Sequence, residues 1–156
     1  MVEVIENGNI FDSNAKYITN AVNCVGIMGA GIAKQFADRY PKMYETYQTL
    51  CRLGVYEVGR PRIQELEKGK YVINFPTMKN PGSRAKLSDI INGLNYIKQQ
   101  LKYDYEYDYT PFEVAFCALG CGIGGLNAED VLNEVKKQFD NVGWCNVKFY
   151  MPIQNS

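Results

Sequence analysis

The chain of 156 residues contains no histidine. That excludes His-based triads, imidazole metal ligands and imidazole general bases, so any chemistry has to come from carboxylate, amide, amine, thiol or backbone groups. Backbone groups stand out in the stretch Asn20 to Tyr40, N-A-V-N-C-V-G-I-M-G-A-G-I-A-K-Q-F-A-D-R-Y, where Gly26, Gly29 and Gly31 separate a β-type run from an amphipathic pattern. A junction of strand, glycine loop and helix start presents unpaired N–H groups and the positive end of a helix dipole, and glycine lets a bulky anion approach the backbone. The stretch is either a diphosphate cradle or a tight packing of helix on strand. Its order, G-x-x-G-x-G, is not the G-x-G-x-x-G dinucleotide fingerprint, and no G-x-x-x-x-G-K-[ST] is present. A second glycine loop, Gly120-Cys121-Gly122-Ile123-Gly124-Gly125, again lies between an apolar run and a helical pattern, and the two loops could face each other.

The amine of interest is Lys79. It belongs to the loop Thr77 to Lys86, which has three positive charges, Lys79, Arg84 and Lys86, and too much Pro and Gly to be regular. Loops of this length inside compact domains often carry function. The thiols weigh less. Five cysteines, an odd number with no C-x-x-C pair, sit mostly in apolar surroundings and read as reduced packing residues, including Cys24 and Cys121 in the glycine loops. A zinc site would have to be assembled from scattered cysteines, so no metal and no cofactor are expected. Asp12 and Asp89 read as turn and helix-start residues.

These groups have to be positioned by the elements around them. A first strand is expected over residues 2–5, then a turn at Glu6–Asn9, a short helical turn near Asp12–Ser13, and a second strand from Tyr17 to Val22. The first helix puts Ile32, Phe36 and Tyr40 on one face and is closed by Pro41; a second runs from about Lys42 to Leu53 and ends at Gly54. Arg62–Leu66 reads as an edge strand and Tyr71–Phe75 as a buried one. Ser88 is the expected N-cap of a helix to about Lys102, and the alternating run Tyr103–Tyr109 is expected to be a solvated connector or strand extension. A central strand over Phe112–Leu119 feeds the second glycine loop, Asn127 caps the next helix, and a last strand covers Val147–Met151, where Tyr150 or Pro152 could pack against a ligand. Strands alternating with helices predict a three-layer α/β/α domain with a largely parallel or mixed central sheet, in which ligands bind beyond the carboxyl ends of the strands. Both glycine loops and the Lys79 loop then fall on one rim.

Size suits one domain over residues 1–156, expected to be a monomer. Lys plus Arg equals Asp plus Glu at 17 each, so no global field holds the chain on a nucleic acid or an anionic membrane, although a local basic patch remains open. There is no apolar run of membrane-spanning length, and the start, M-V-E-V-I-E, is acidic where a secretory leader is basic; a cytoplasmic protein is expected.

The series Gly8-Asn9-Ile10, Asn20-Ala21-Val22-Asn23, Gly29-Ala30-Gly31-Ile32-Ala33 and Ala118-Leu119-Gly120-Cys121-Gly122-x-Gly124-Gly125-Leu126 resembles the macrodomain, the ADP-ribose-binding α/β/α module. The match is spread over nearly the whole chain. Within that family, N-x-V-N-C-x-G-x-M-G-x-G-I-A-x-Q-F followed by Arg39-Tyr40-Pro41 is similar to the branch holding the terminal ADP-ribose protein glycohydrolase, the antitoxin that strips ADP-ribose from thymidine in DNA, and the fungal ADP-ribose 1''-phosphate phosphatase. Phe75-Pro76-Thr77-x-Lys79 resembles the glycohydrolase and antitoxin members, which place a functional lysine there.

The resemblance implies that Asn9 and Ile10 meet the adenine, with Asn9 where most members have aspartate. It implies that Gly29, Ala30, Gly31 and Ile32 on one side, and Gly120, Cys121, Gly122, Ile123, Gly124 and Gly125 on the other, bracket the diphosphate with N–H groups. Asn23 would reach the distal ribose hydroxyls, Asn20 would support the loop from behind, and Lys79 would stand beside C1'' as the catalytic amine together with Asn23. Gly124 occupies the place of the glycohydrolase aspartate, as in the antitoxin type, so Lys79 would act with Asn23 or with substrate phosphate. Desolvation, or Arg84 or Lys86 nearby, would tune that amine. Otherwise Lys79 is a solvated loop lysine that only attracts phosphate.

The function so implied is removal of a terminal mono-ADP-ribose from a modified protein or DNA base by cleavage at C1''. Two alternatives stand beside it: ADP-ribose 1''-phosphate phosphatase, and a reader that binds ADP-ribose without turnover. DNA would be a partner only through its ADP-ribose group.

Overall fold

The computed structural model describes residues 1–153; the last three residues of the expected 1–156 domain lie outside the described residues. Among the described residues six strands form one sheet in the order β1-β6-β5-β2-β4-β3. They are β1 (Glu3–Ile5), β2 (Tyr17–Val22), β3 (Arg62–Glu67), β4 (Lys70–Pro76), β5 (Phe112–Phe116) and β6 (Cys145–Tyr150). All neighbours pair in parallel except β3, which runs antiparallel to β4 at the edge. The expected mixed sheet is present, and β2 has the bounds its β-formers predict.

Four helices cover the sheet: α1 (Gly31–Arg39), α2 (Pro41–Arg52), α3 (Leu87–Asp108) and α4 (Ala128–Phe139). Adjacent residues of β4 show that they form two layers. Asn74 reaches Met43 of α2, whereas a Cβ on Gly93 of α3 would lie 2.3 Å from the Phe75 ring. Successive strand residues point to opposite faces, so α2 and α3 lie on opposite sides of the sheet. Gly93 is what lets α3 sit directly on Phe75. The core between the layers is apolar, with Ile18, Val72, Ile73, Phe75, Val114, Phe116 and Phe149 from the strands meeting Phe36, Ile90, Leu94, Ile97, Leu101, Val135 and Phe139 from the helices.

Several local expectations are corrected. The short helical turn is a 3-10 turn over Ile10–Asp12 capped by Asn9, with Ser13 at its far end. On α1 the buried residues are Ala33, Phe36 and Ala37, so Ile32 and Tyr40 flank the face instead of defining it. The helix expected from Ser88 starts at Leu87 with Lys86 in the capping position and no side-chain cap. It also continues through the Tyr103–Tyr109 run to Asp108, where Tyr109 turns left-handed at φ 57°. Period-two alternation of aromatics and acids looked non-helical; tertiary contacts decide otherwise. Tyr105 stacks on Trp144, and Asp104 accepts hydrogen bonds from Lys16 Nζ at 2.8 Å and the Tyr17 hydroxyl at 2.5 Å. Asn127 does cap α4, its side chain accepting from the N–H groups of Glu129 and Asp130.

The Asp104 cluster makes a pH prediction. Burial pushes this carboxyl up, but hydrogen bonds from Lys16 and Tyr17 and the Lys16 charge outweigh it, leaving the group below the usual aspartate range. A carboxyl depressed in the folded state stabilises it above the unfolded pKa, and that contribution is lost as pH falls through the folded value. In thermal unfolding at stepped pH, the gap between wild type and Asp104→Asn is expected to be constant near neutrality and to close below about pH 4. A gap that persisted into acid would assign the effect to hydrogen bonding alone.

Candidate functional site

β2 sends the chain towards β4 and β3, while β5 sends it towards β6 and β1. In a parallel sheet the loops leaving two such neighbouring strands diverge and open a crevice at their carboxyl ends. A cavity of about 390 Å³ lies there. Its wall combines Asn23, Ile27 and Gly29 to Ala33 after β2, Thr77, Met78, Pro81 and Gly82 after β4, and Cys117, Ala118, Gly120 and Gly122 to Gly124 after β5. A second hollow of about 300 Å³ shares Ile32, Cys117, Ala118 and Gly122 with it and adds Asn9, Ile10, Cys121, Tyr150 and Pro152. The two form one cleft running across the ends of β2, β5 and β6.

The first wall is built from α1. Ala30 precedes the helix without any side-chain cap, and Gly31 begins it at φ 59°, a left-handed conformation that favours glycine. The first helical amides have no intrahelical acceptor, so those of Gly31, Ile32 and Ala33 are left for a ligand at the positive end of the dipole. The amides of Gly29 and Ala30, and across the cleft those of Gly120, Gly122, Ile123 and Gly124, donate to no acceptor among the described residues. No charged side chain lines the 390 Å³ cavity. A site with facing amides and no carboxylate takes an anion without like-charge repulsion.

The second wall is held by close packing. Gly124 accepts from the Ala85 N–H at 3.0 Å, and Gly120 accepts from the Leu126 N–H at 2.9 Å. A Cβ at Gly124 would stand 2.6 Å from the Gly120 carbonyl oxygen and 2.9 Å from Ala85 Cβ. The Lys79 loop is thereby stapled to the second glycine loop.

The first glycine loop hangs on α2, which sequence reading did not connect to the site. Tyr44, Tyr47, Gln48 and Cys51, spaced i, i+3, i+4 and i+7, form one face of that helix. The buried Tyr47 hydroxyl lies 2.8 Å from both the backbone and the side-chain oxygen of Asn23; Met28 donates to the Tyr44 hydroxyl, and Gln48 donates to the Gly26 carbonyl. Asn23 Oδ1 also accepts from the N–H groups of Val25 and Ile27, and Nδ2 donates to the Ile27 carbonyl at 2.7 Å. Its oxygen is saturated, so towards the cavity Asn23 offers one remaining Nδ2–H, a donor and not a base. The signal for Tyr47 was its helical register behind the loop. Tyr47→Phe is expected to lower stability by about 1–3 kcal/mol, measured by chemical denaturation, because the buried Asn23 carbonyl loses its donor; a change within about 0.3 kcal/mol would mean the loop is held without it.

The remaining sequence-derived residues divide clearly. Asn9 and Ile10 border the second hollow, although Asn9 already spends its side-chain oxygen on the Phe11 N–H. Tyr150 and Pro152 border it too. Asn20 is fully buried, donates to Asn74 at 3.1 Å and lines neither hollow, so it stands behind the wall and not in the cleft. Gly125 also lies outside both, beneath the Arg84 guanidinium. Lys79 is exposed and lines neither hollow, while its backbone carbonyl accepts from Cys24 N–H at 3.0 Å beside Asn23. Burial pushes the Cys24, Cys117 and Cys121 thiols up to about 11. They are neutral at pH 7 and serve as packing groups.

Comparison with known proteins agrees with this geometry. The Macro domain family model matches residues 19–135. The DNA ADP-ribosyl glycohydrolase of Mycobacterium tuberculosis is 33% identical over 153 residues, covering 96% of this chain and 42% of that protein. Among solved structures, the macrodomain of Mycobacterium tuberculosis DarG superposes with a TM-score of 0.88 at 31% identity, covering 97% of this chain and 98% of that one. Thermosipho africanus DarTG in complex with ADP-ribose gives a TM-score of 0.85 at 25% identity, over 99% of this chain and 42% of that one. The chain thus spans less than half the length of such a curated relative. Facing glycine loops at the ends of β2 and β5, the mixed sheet and these matches lead to one assignment: the chain belongs to the macrodomain family.

Proposed function

We propose that this chain binds ADP-ribose in the cleft and hydrolyses the bond joining its terminal ribose C1'' to a DNA base. One observation carries the reading: two glycine loops with unpartnered amides border one cavity that has no charged side chain in its wall. That arrangement fits a diphosphate, leaving the hollow beside Asn9, Ile10 and Tyr150 for the adenine and the Asn23 end for the distal ribose. The relatives' name, DNA ADP-ribosyl glycohydrolase, favours a base as leaving group.

In this reading the Asn23 Nδ2–H donates to a hydroxyl oxygen of the distal ribose. Water adds at C1'' as the bond to the leaving group breaks; the Lys79 ammonium gives the departing atom a proton, and the proton lost by the water restores that ammonium. No cofactor or metal takes part. The protein is taken as a cytoplasmic monomer; separately, no helix among the described residues is long and apolar enough to cross a membrane. The absence of a carboxylate from the cavity wall favours a second reading, a binder that turns nothing over. A panel of ADP-ribosylated thymidine DNA, protein modified on glutamate and ADP-ribose 1''-phosphate decides: release of ADP-ribose from the DNA alone supports hydrolysis of the base linkage, and micromolar binding without turnover supports the reader.

A further inference from the structure

We propose that Arg84 binds a backbone phosphate of the nucleic-acid strand that carries the modified base, an inference that rests on the DNA-directed reading above. Charge on this chain balances overall, yet it is segregated at the cleft. The three segments that build the rim, residues 20–33, 77–88 and 117–128, contain no Asp or Glu, and their only charged side chains are Lys79, Arg84 and Lys86. All 17 carboxylates lie elsewhere. The rim segments thus carry cations only, while the nearest carboxylates come from other elements, Asp130 acting on Cys121 and Glu57 on Cys24.

Arg84 is the member whose head group is placed. Its neighbour Ala85 is tied by its N–H to Gly124. The guanidinium lies flat across Gly125: a Cβ there would stand 2.8 Å from Nη2, 2.9 Å from Cζ and 3.2 Å from Nη1. Gly125, at φ 80°, supplies the bare surface that allows this. Arg84 joins no ion pair among the described residues, and its side chain is exposed.

Neither Arg84 nor Gly125 lines either hollow, so the head group sits outside the space for ADP-ribose, on the outer lip of the second loop. A planar donor fork lying there, in no ion pair among the described residues, suits a phosphodiester oxygen pair arriving from outside the cleft. Ile123, 67% exposed, and Ile27, 49% exposed, stand on opposite lips and offer apolar surface to a base between them. An acidic protein segment would find the same guanidinium, but the DNA-directed reading puts a phosphodiester strand at this lip.

The test measures binding by fluorescence anisotropy at several salt concentrations, using a single-stranded oligonucleotide that carries ADP-ribose through a non-hydrolysable carbocyclic linkage, with free ADP-ribose as the comparison. Wild type is expected to prefer the oligonucleotide, with the preference shrinking as salt rises. Arg84→Gln should lose roughly tenfold in oligonucleotide affinity, flatten the salt slope by about 0.7, and leave ADP-ribose affinity unchanged. Arg84→Lys should restore the slope. Equal losses for both ligands would place Arg84 in the diphosphate clamp and overturn the proposal, as would an oligonucleotide bound no better than ADP-ribose by wild type, or a preference for an ADP-ribosylated acidic peptide. Cleavage of the native linkage, assayed in parallel, reports the hydrolase reading separately.

Discussion

Lys79→Ala is expected to reduce release of ADP-ribose from modified DNA by at least about a hundredfold, the lower end for loss of a general acid, while calorimetry finds the affinity for ADP-ribose within about twofold of wild type. The separation follows from how the residue is held. What anchors Lys79 is its backbone carbonyl, which receives the Cys24 N–H, and alanine keeps that bond. Its side chain is exposed and forms no part of the cavity wall. Truncation therefore removes an amine from the mouth without altering the cradle. A variant that kept full turnover would leave Lys79 as a solvated lysine and move the proton donor elsewhere, and one that lost binding in proportion would make it a phosphate contact.

Gly124→Ala is expected to do the opposite to binding, weakening ADP-ribose by roughly a hundredfold, in line with loss of one or two charge-assisted amide contacts. The new Cβ would meet the Gly120 carbonyl oxygen at 2.6 Å and Ala85 Cβ at 2.9 Å, and neither can swing away as a flexible side-chain tip would. The loop has to open, and opening it pulls the amides of Gly122, Ile123 and Gly124 out of line with those of Gly29 and Ala30. Calorimetry with ADP-ribose reads the loss, and circular dichroism checks that the sheet survives. Unchanged affinity would mean that the second loop does not grip the ligand through its backbone.

Together the two substitutions separate holding from cutting. A chain that behaved as a pure reader would show the Gly124→Ala loss and no turnover for Lys79→Ala to remove.

Composition and pattern carried much of the architecture. β-formers between Tyr17 and Val22, Asn127 before an amphipathic run, and Pro41 and Gly54 around α2 are local signals, and local sterics or a single capping bond enforce them. The glycine loops were legible for the same reason, since Gly31 and Gly120 take left-handed φ values that few other residues tolerate. The Tyr103–Tyr109 run was not. Its alternation reads as period two, and only Trp144, Lys16 and Tyr17, all distant in sequence, make a helix the better way to spend those side chains.

The sequence alone determined that this chain carries no imidazole, that glycines mark two strand-to-helix junctions, and that strands and helices alternate around them, because absence of a residue type, glycine conformation and hydrophobic period are properties of the chain itself. Tertiary structure decided which way those groups face. The buried Tyr47 fixes Asn23 as a donor, Asn20 is carried behind the wall, and Arg84 is laid across Gly125 outside the cleft. Each depends on contacts between segments far apart in sequence, and such contacts exist only once the sheet order has set its neighbours.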